Sequence, residues 1–165
     1  MSRKNRPGFA RWMLLIFPVV FLAGLGLAYE GMTAWRKANL PTAEPVTFGR
    51  MDLFLGKRVS VAGYLEIPDK DHPKRSNYLL LYNRQPHAPF DRFIVAYFNA
   101  SPTGKPNTMQ PLPEIFTRED IYLTAADGRP VRAGDRIRLT GWAAYKYLDC
   151  ERISLDRVDT IELLP

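Results

Sequence analysis

The chain is poor in the residues that carry most covalent and metal chemistry. Its 165 residues include one cysteine, Cys150, and two histidines, His72 and His87. A single cysteine excludes an internal disulfide framework and any thiolate-cluster zinc site. Two histidines on different loops fall short of a zinc ligand set. The acidic loop Asp69-Lys70-Asp71 lacks the further oxygen ligands and the turn glycine of a calcium loop. Asp149-Cys150-Glu151 sets the thiol between two carboxylates, which disfavours a thiolate nucleophile. No phosphate-binding glycine loop, dinucleotide fingerprint or nucleophile–base motif occurs. These deficits point away from an enzyme and imply no metal and no cofactor. Internal repeats and low-complexity tracts are also missing.

What is present is ordinary for a folded domain: 46% hydrophobic and 24% charged residues, with 14 prolines and 11 glycines to make turns. The net charge of +6 invites a nucleic-acid reading, but its distribution does not support one. Residues 1–11 carry +4, residues 30–41 carry +1, and residues 42–165 carry +1 from 17 basic and 16 acidic side chains. The folded part is nearly neutral, so nucleic acid is disfavoured as a partner.

Residues 12–29, WMLLIFPVVFLAGLGLAY, contain no charge. As a helix they span about 27 Å, close to one hydrocarbon core. Trp12 and Tyr29 stand at its ends, where amphipathic aromatics favour the interface. The basic residues concentrate before the segment. This predicts a single-pass protein of the bacterial inner membrane, with a cytoplasmic amino terminus and a periplasmic carboxy-terminal domain. A cleaved signal peptide ending near Gly26-Leu27-Ala28 is the rival, and it exports the domain equally. Gly24 and Ala28 give the small-xxx-small spacing that lets membrane helices pack closely. The expected organisation is a basic tail at 1–11, a membrane helix at 12–29, a stalk at 30–47 and one domain at 48–165. About 120 residues suffice for a single core.

Within that domain, apolar residues at 48, 51, 54 and 55 have helix-like spacing, stopped by Gly56. Arg58 to Leu65 alternates, with Val59, Val61, Gly63 and Leu65 on one face. YLLLY at 78–82 and RFIVAYF at 92–98 lack clean alternation and read as strands covered on both faces. A proline-rich insert follows from 99, with a short helix expected at Pro113-Glu114 and a short strand at 121–124. Arg136 to Trp142 alternates again. In 153–163 the parity breaks at Val158, which predicts a bulge near Asp156–Val158.

The segments GKRVSVAGYL at 56–65, AGDRIRLTGWA at 133–143 and ISLDRVDTIEL at 153–163 resemble an OB-fold domain of the exported bacterial kind. The resemblance implies an all-β fold: a small five-stranded barrel with a short helix, here preceded by one transmembrane helix. It also implies a ligand face on strands two and three, bounded by the loops after strands one and four. On this sequence the candidates are Tyr78, Tyr82, Arg92 and Trp142, with Tyr145, Lys146 and Tyr147 on a loop spanning Ala143–Arg152. The layout is also similar to the periplasmic haem chaperones of cytochrome c maturation. Their haem-attaching histidine lies near the carboxy terminus, however, and here no histidine follows Val158. The haem site is therefore not carried over.

These features lead to an expected role as a non-catalytic binding or accessory subunit of a membrane complex. Its expected partners are the bilayer and another membrane protein. A ligand or cofactor carrier and an exported single-strand nucleic-acid binder are the alternatives. Amino-terminal sequencing of membrane-extracted protein is expected to find the intact basic tail; a start at Tyr29 would overturn the anchor.

Overall fold

The computed structural model describes Met32, Trp35 and residues 38–67, 78–85, 92–148 and 150–165, with the backbone alone at 145–148 and 150–152. Among the described residues no helix is long and apolar enough to cross a membrane. The 12–29 segment, with Gly24 and Ala28, lies outside them, as do His72, His87 and most of the 66–77 loop. The chain divides into two units, Met1–Pro41 and Thr42–Pro165. In the first, Met32, Trp35 and Ala38 are helical. Asn39 closes that turn, its backbone N–H and side-chain amide donating to the Trp35 carbonyl at 3.0 and 2.7 Å.

The second unit is all-β. Its strands are β1 (Glu44–Pro45), β2 (Arg58–Glu66), β3 (Tyr78–Tyr82), β4 (Phe93–Tyr97), β5 (Thr108–Met109), β6 (Leu123–Thr124), β7 (Pro130–Val131), β8 (Arg136–Leu148) and β9 (Cys150–Leu163). The order β2-β3-β4-β9-β8, with β8 closing on β2, makes a closed five-stranded barrel of OB-like topology. Neighbours are antiparallel except β4 and β9, which run parallel. The alternation in β2 has the expected consequence: Val59, Val61, Gly63 and Leu65 are buried, while Arg58, Ser60, Ala62 and Tyr64 are half-buried on the outside.

Two glycines let the sheet curl. A Cβ at Gly63 would stand 2.5 Å from the Tyr82 carbonyl oxygen, and one at Gly141 3.0 Å from that of Asp156. Opposite Gly141 the β8–β9 register passes from Thr140↔Thr160 to Trp142↔Asp156, so residues 157–159 bulge out of the ladder. This is the bulge that the broken parity at Val158 predicts. Arg157 takes φ 50° there. The bulge brings Asp159 to Arg58, which donates through Nε and Nη2 at 2.9 and 2.8 Å. That bidentate pair spans from β2 to β9 over the intervening β8. The Asp159 hydrogen bonds raise the Arg58 pKa above its ordinary value, against the opposing effect of burial.

Each end of the barrel is stoppered. At the start of β2 sits a 3₁₀ helix, Phe48–Phe54, rather than an α-helix. Its three-residue repeat puts Phe48, Met51 and Phe54 on one stripe. Met51 is fully buried and the two phenylalanines pack against the same core. At the far end of β2 the insert folds over the barrel. β5, β6 and β7 form a small sheet of their own, and Met109, Ile121, Leu123 and Val131 join the barrel core. The expected strand at 121–124 is therefore β6, outside the barrel. The helix expected at Pro113-Glu114 is instead a 3₁₀ turn at Arg118–Asp120, closed by a Thr117–Asp120 capping box.

The Arg58–Asp159 pair is partly buried. Its side chains are 14% and 25% exposed. A double-mutant cycle of Arg58→Ala and Asp159→Ala in urea is expected to show a coupling of about 1–3 kcal/mol. Additive losses would mean that the pair does not hold the bulge.

Candidate functional site

β3 and β4 are apolar on both faces, and the middle of each strand is buried. Leu79, Leu81, Ile94 and Ala96 point into the barrel core. The other parity forms a second, outer cluster through three cross-strand pairs: Tyr78↔Tyr97, Leu80↔Val95 and Tyr82↔Phe93. The Tyr78 and Tyr97 rings lie 5.7 Å apart, and those of Tyr82 and Phe93 5.4 Å, both tilted. Such pairs contribute about 0.5–1.5 kcal/mol beyond the area they bury. The centre of the strip is closed off: Leu80, Tyr82 and Val95 are buried, while Tyr78, Phe93 and Tyr97 are half-buried around them.

Polar groups frame this strip. Ser154 of β9 lies opposite Val95, and its hydroxyl donates to the Ala144 carbonyl at 3.2 Å. On the other side Tyr64 and Glu66 of β2 face Tyr82 and Leu80. Glu66 is only 8% exposed, yet both its oxygens are used. One accepts the Ile67 backbone N–H at 3.0 Å, and the other meets Arg118 Nη2 at 3.0 Å. Arg118 then lines an open cleft of about 450 Å³ with Glu119, Arg132 and Ala133. Arg132 is held by its own contacts: its guanidinium stacks 4.4 Å above the Tyr122 ring and donates to the Ile121 carbonyl at 3.2 Å.

The expected site residues separate in space. Tyr78 and Tyr82 lie on the strip, joined by Leu80, Phe93, Val95 and Tyr97, which the sequence reading missed. That Phe93, Val95 and Tyr97 share one face of their own strand was readable, but the pairing that sets them beside Tyr78 and Tyr82 was not. Arg92 is not part of the strip. Its Nη1 lies 2.7 Å from where a Cβ at Gly49 would stand, so it packs on the 3₁₀ helix at the barrel's end. Trp142 is half-buried on β8, between Arg58 of β2 and Asp156 of β9. The loop expected at Ala143–Arg152 is instead a hairpin arm. β8 continues to Leu148, β9 starts at Cys150, and Tyr145, Lys146 and Tyr147 pair with Ile153, Arg152 and Glu151. The run is rich in strand-forming residues, and ladder pairing satisfies its backbone better than a loop could. The side chains of Tyr145, Lys146, Tyr147 and Cys150 lie outside the described residues.

No family model matches the chain, and no curated protein matches it. The OB-like resemblance thus stands on strand order and register. Among the described residues no group of three or more His, Cys, Asp or Glu side chains is placed to hold a metal ion.

Tyr97 reports on this face. Burial raises its phenol pKa above the ordinary value, and the neighbouring Tyr78 and Asp156 add to the shift. The folded state therefore holds this proton to higher pH than the unfolded chain does. The associated stability is fully present below the ordinary phenol range of about 10 and is lost as pH rises through the folded value. Tyr97→Phe is expected to remove the late part of the absorbance-detected tyrosine titration. An unchanged late phase would place Tyr97 in open solvent.

Proposed function

We propose that the protein is a non-catalytic binding or accessory subunit of a membrane complex, tethered through residues 12–29. Its OB-like barrel acts on the outer face of β3 and β4. The observation that carries this reading is the aromatic strip: Tyr78, Phe93 and Tyr97 are only partly buried at its rim, on the face that OB-like barrels use for ligands. Partly exposed aromatics around a closed apolar centre are the composition of protein contact sites. The nearly neutral charge of residues 42–165 favours a protein surface over a polyanion. An exported domain behind a basic tail and an uncharged span is the expectation that places the partner in the same membrane.

One observation favours a second reading, a carrier for a small acidic ligand. Arg118 and Arg132 are both held in place at the cleft, by Glu66 and by Tyr122 with Ile121. Planar guanidinium donors with fixed positions suit carboxylates and phosphates.

The test is a native pull-down of the full-length protein in mild detergent, with partners identified by mass spectrometry. One membrane assembly is expected in stoichiometric amount. Tyr78→Ala with Tyr97→Ala should reduce its recovery about tenfold or more, the equivalent of about 1.4 kcal/mol. Recovery of the protein alone, or recovery indifferent to these substitutions, would overturn the reading.

A further inference from the structure

The cleft next to Glu66 carries charges of both signs that do not neutralise one another. Arg118, Glu119 and Arg132 line it together with Ala133. Arg118 is compensated, since its Nη2 meets the mostly buried Glu66 carboxylate at 3.0 Å. Arg132 and Glu119 take part in no ion pair among the described residues. Asp135, close to Arg132 in sequence, is engaged by the Arg132 backbone N–H at 2.8 Å. An uncompensated cation and an uncompensated anion therefore face one cleft without closing on each other.

Local contacts hold each group where it is. The Arg132 guanidinium is stacked 4.4 Å from the Tyr122 ring centre and donates through Nη1 to the Ile121 carbonyl at 3.2 Å. Hydrogen bonding with Thr117, and then with its own backbone N–H, holds the Glu119 pKa below the ordinary value, so the carboxylate is ionised at neutral pH. Arg118 lies over the bare face of Gly134. A Cβ there would stand 3.1 Å from both Arg118 Nη2 and Gln85 Nε2, so an uncharged amide donor sits at the same place.

This arrangement discriminates between ligands. A simple anion drawn to Arg132 is opposed by Glu119, and a simple cation drawn to Glu119 is opposed by two guanidiniums. A ligand that carries both signs is matched by both. Two guanidiniums and one carboxylate complement two acid groups and one ammonium group. Arg118 has given Nη2 to Glu66 and Arg132 has given Nη1 to Ile121, so each keeps further N–H donors for a ligand. Groups already held in place lose little freedom on binding. The volume of about 450 Å³ is that of a small-molecule site.

We propose that this cleft binds an acidic α-amino acid, with its carboxylates on Arg118 and Arg132 and its ammonium group on Glu119. The inference rests on the carrier reading and names its ligand class, adding the ammonium group and the role of Glu119.

The test is isothermal titration of the full-length protein in mild detergent with L-glutamate and with glutarate, which has the same carbon chain and both carboxylates but no ammonium group. Glutamate is expected to bind about five- to tenfold more tightly, the scale of one exposed ion pair. Glu119→Gln should abolish that preference and leave the fold intact, because the side chain is exposed. Arg132→Gln should weaken both ligands. Glutarate binding as tightly as glutamate, or a preference that survives Glu119→Gln, overturns the amino-acid inference and leaves the acidic-ligand carrier standing. Binding of neither probe, or binding of both that is indifferent to Arg132→Gln, overturns the carrier and the inference together.

Discussion

The structure depends on the closure of β8 onto β2. Seven consecutive residue pairs, Arg58↔Trp142 to Tyr64↔Arg136, turn a curled sheet into a barrel. Closure removes the two long edges that a five-stranded sheet would otherwise expose. It also requires sharp coiling, and Gly63 and Gly141 stand where a neighbouring strand leaves no room for a Cβ. The bulge opposite Gly141 follows from the same curvature. That bulge brings Asp159 within reach of Arg58, so a charged pair locks the geometry that closure imposes.

Closure does not satisfy every strand for its full length, because neighbours in a small barrel diverge. β3 pairs with the end of β2, so the start of β2 has an edge to fill, and β1 fills it in parallel. β4 pairs with β9 near Ser154 and Leu155, so the later part of β9 has another edge. There the insert supplies the partners. The Asn107 side chain accepts from the Ile161 N–H at 2.8 Å, and the Ala126 N–H donates to the Ile161 carbonyl at 2.8 Å. Asn107 holds φ 61°, a conformation Asn tolerates better than most side chains. The insert is thus part of the barrel's hydrogen-bond accounting.

The outer face of β3 and β4 departs from the polar exterior of an ordinary antiparallel sheet. Tyrosines give such a surface an apolar body with a polar tip, suited to contacts that form without exposing a bare hydrocarbon patch. The neighbouring ion pair of Glu66 and Arg118 ties the strip to the insert. A ligand or partner engaging either would therefore meet a surface supported by both sheets.

Local pattern was sufficient to find β2, the barrel part of β8 and the bulge in β9 from alternation, and β3 and β4 as short unbroken apolar runs. Alternation is a property of the pleat, so a few consecutive residues carry that signal. The same reasoning could not distinguish a 3₁₀ stripe at Phe48, Met51 and Phe54 from an α-helical one over so short a span. Nor could it see that residues 143–152 extend two strands into an arm, since the OB-like resemblance assigns that span to the loop after strand four. Only the tertiary structure brought Tyr78 to Tyr97, Glu66 to Arg118 and Arg58 to Asp159. These contacts join residues far apart in sequence. They are set by register and closure, which the pattern within any one strand does not contain.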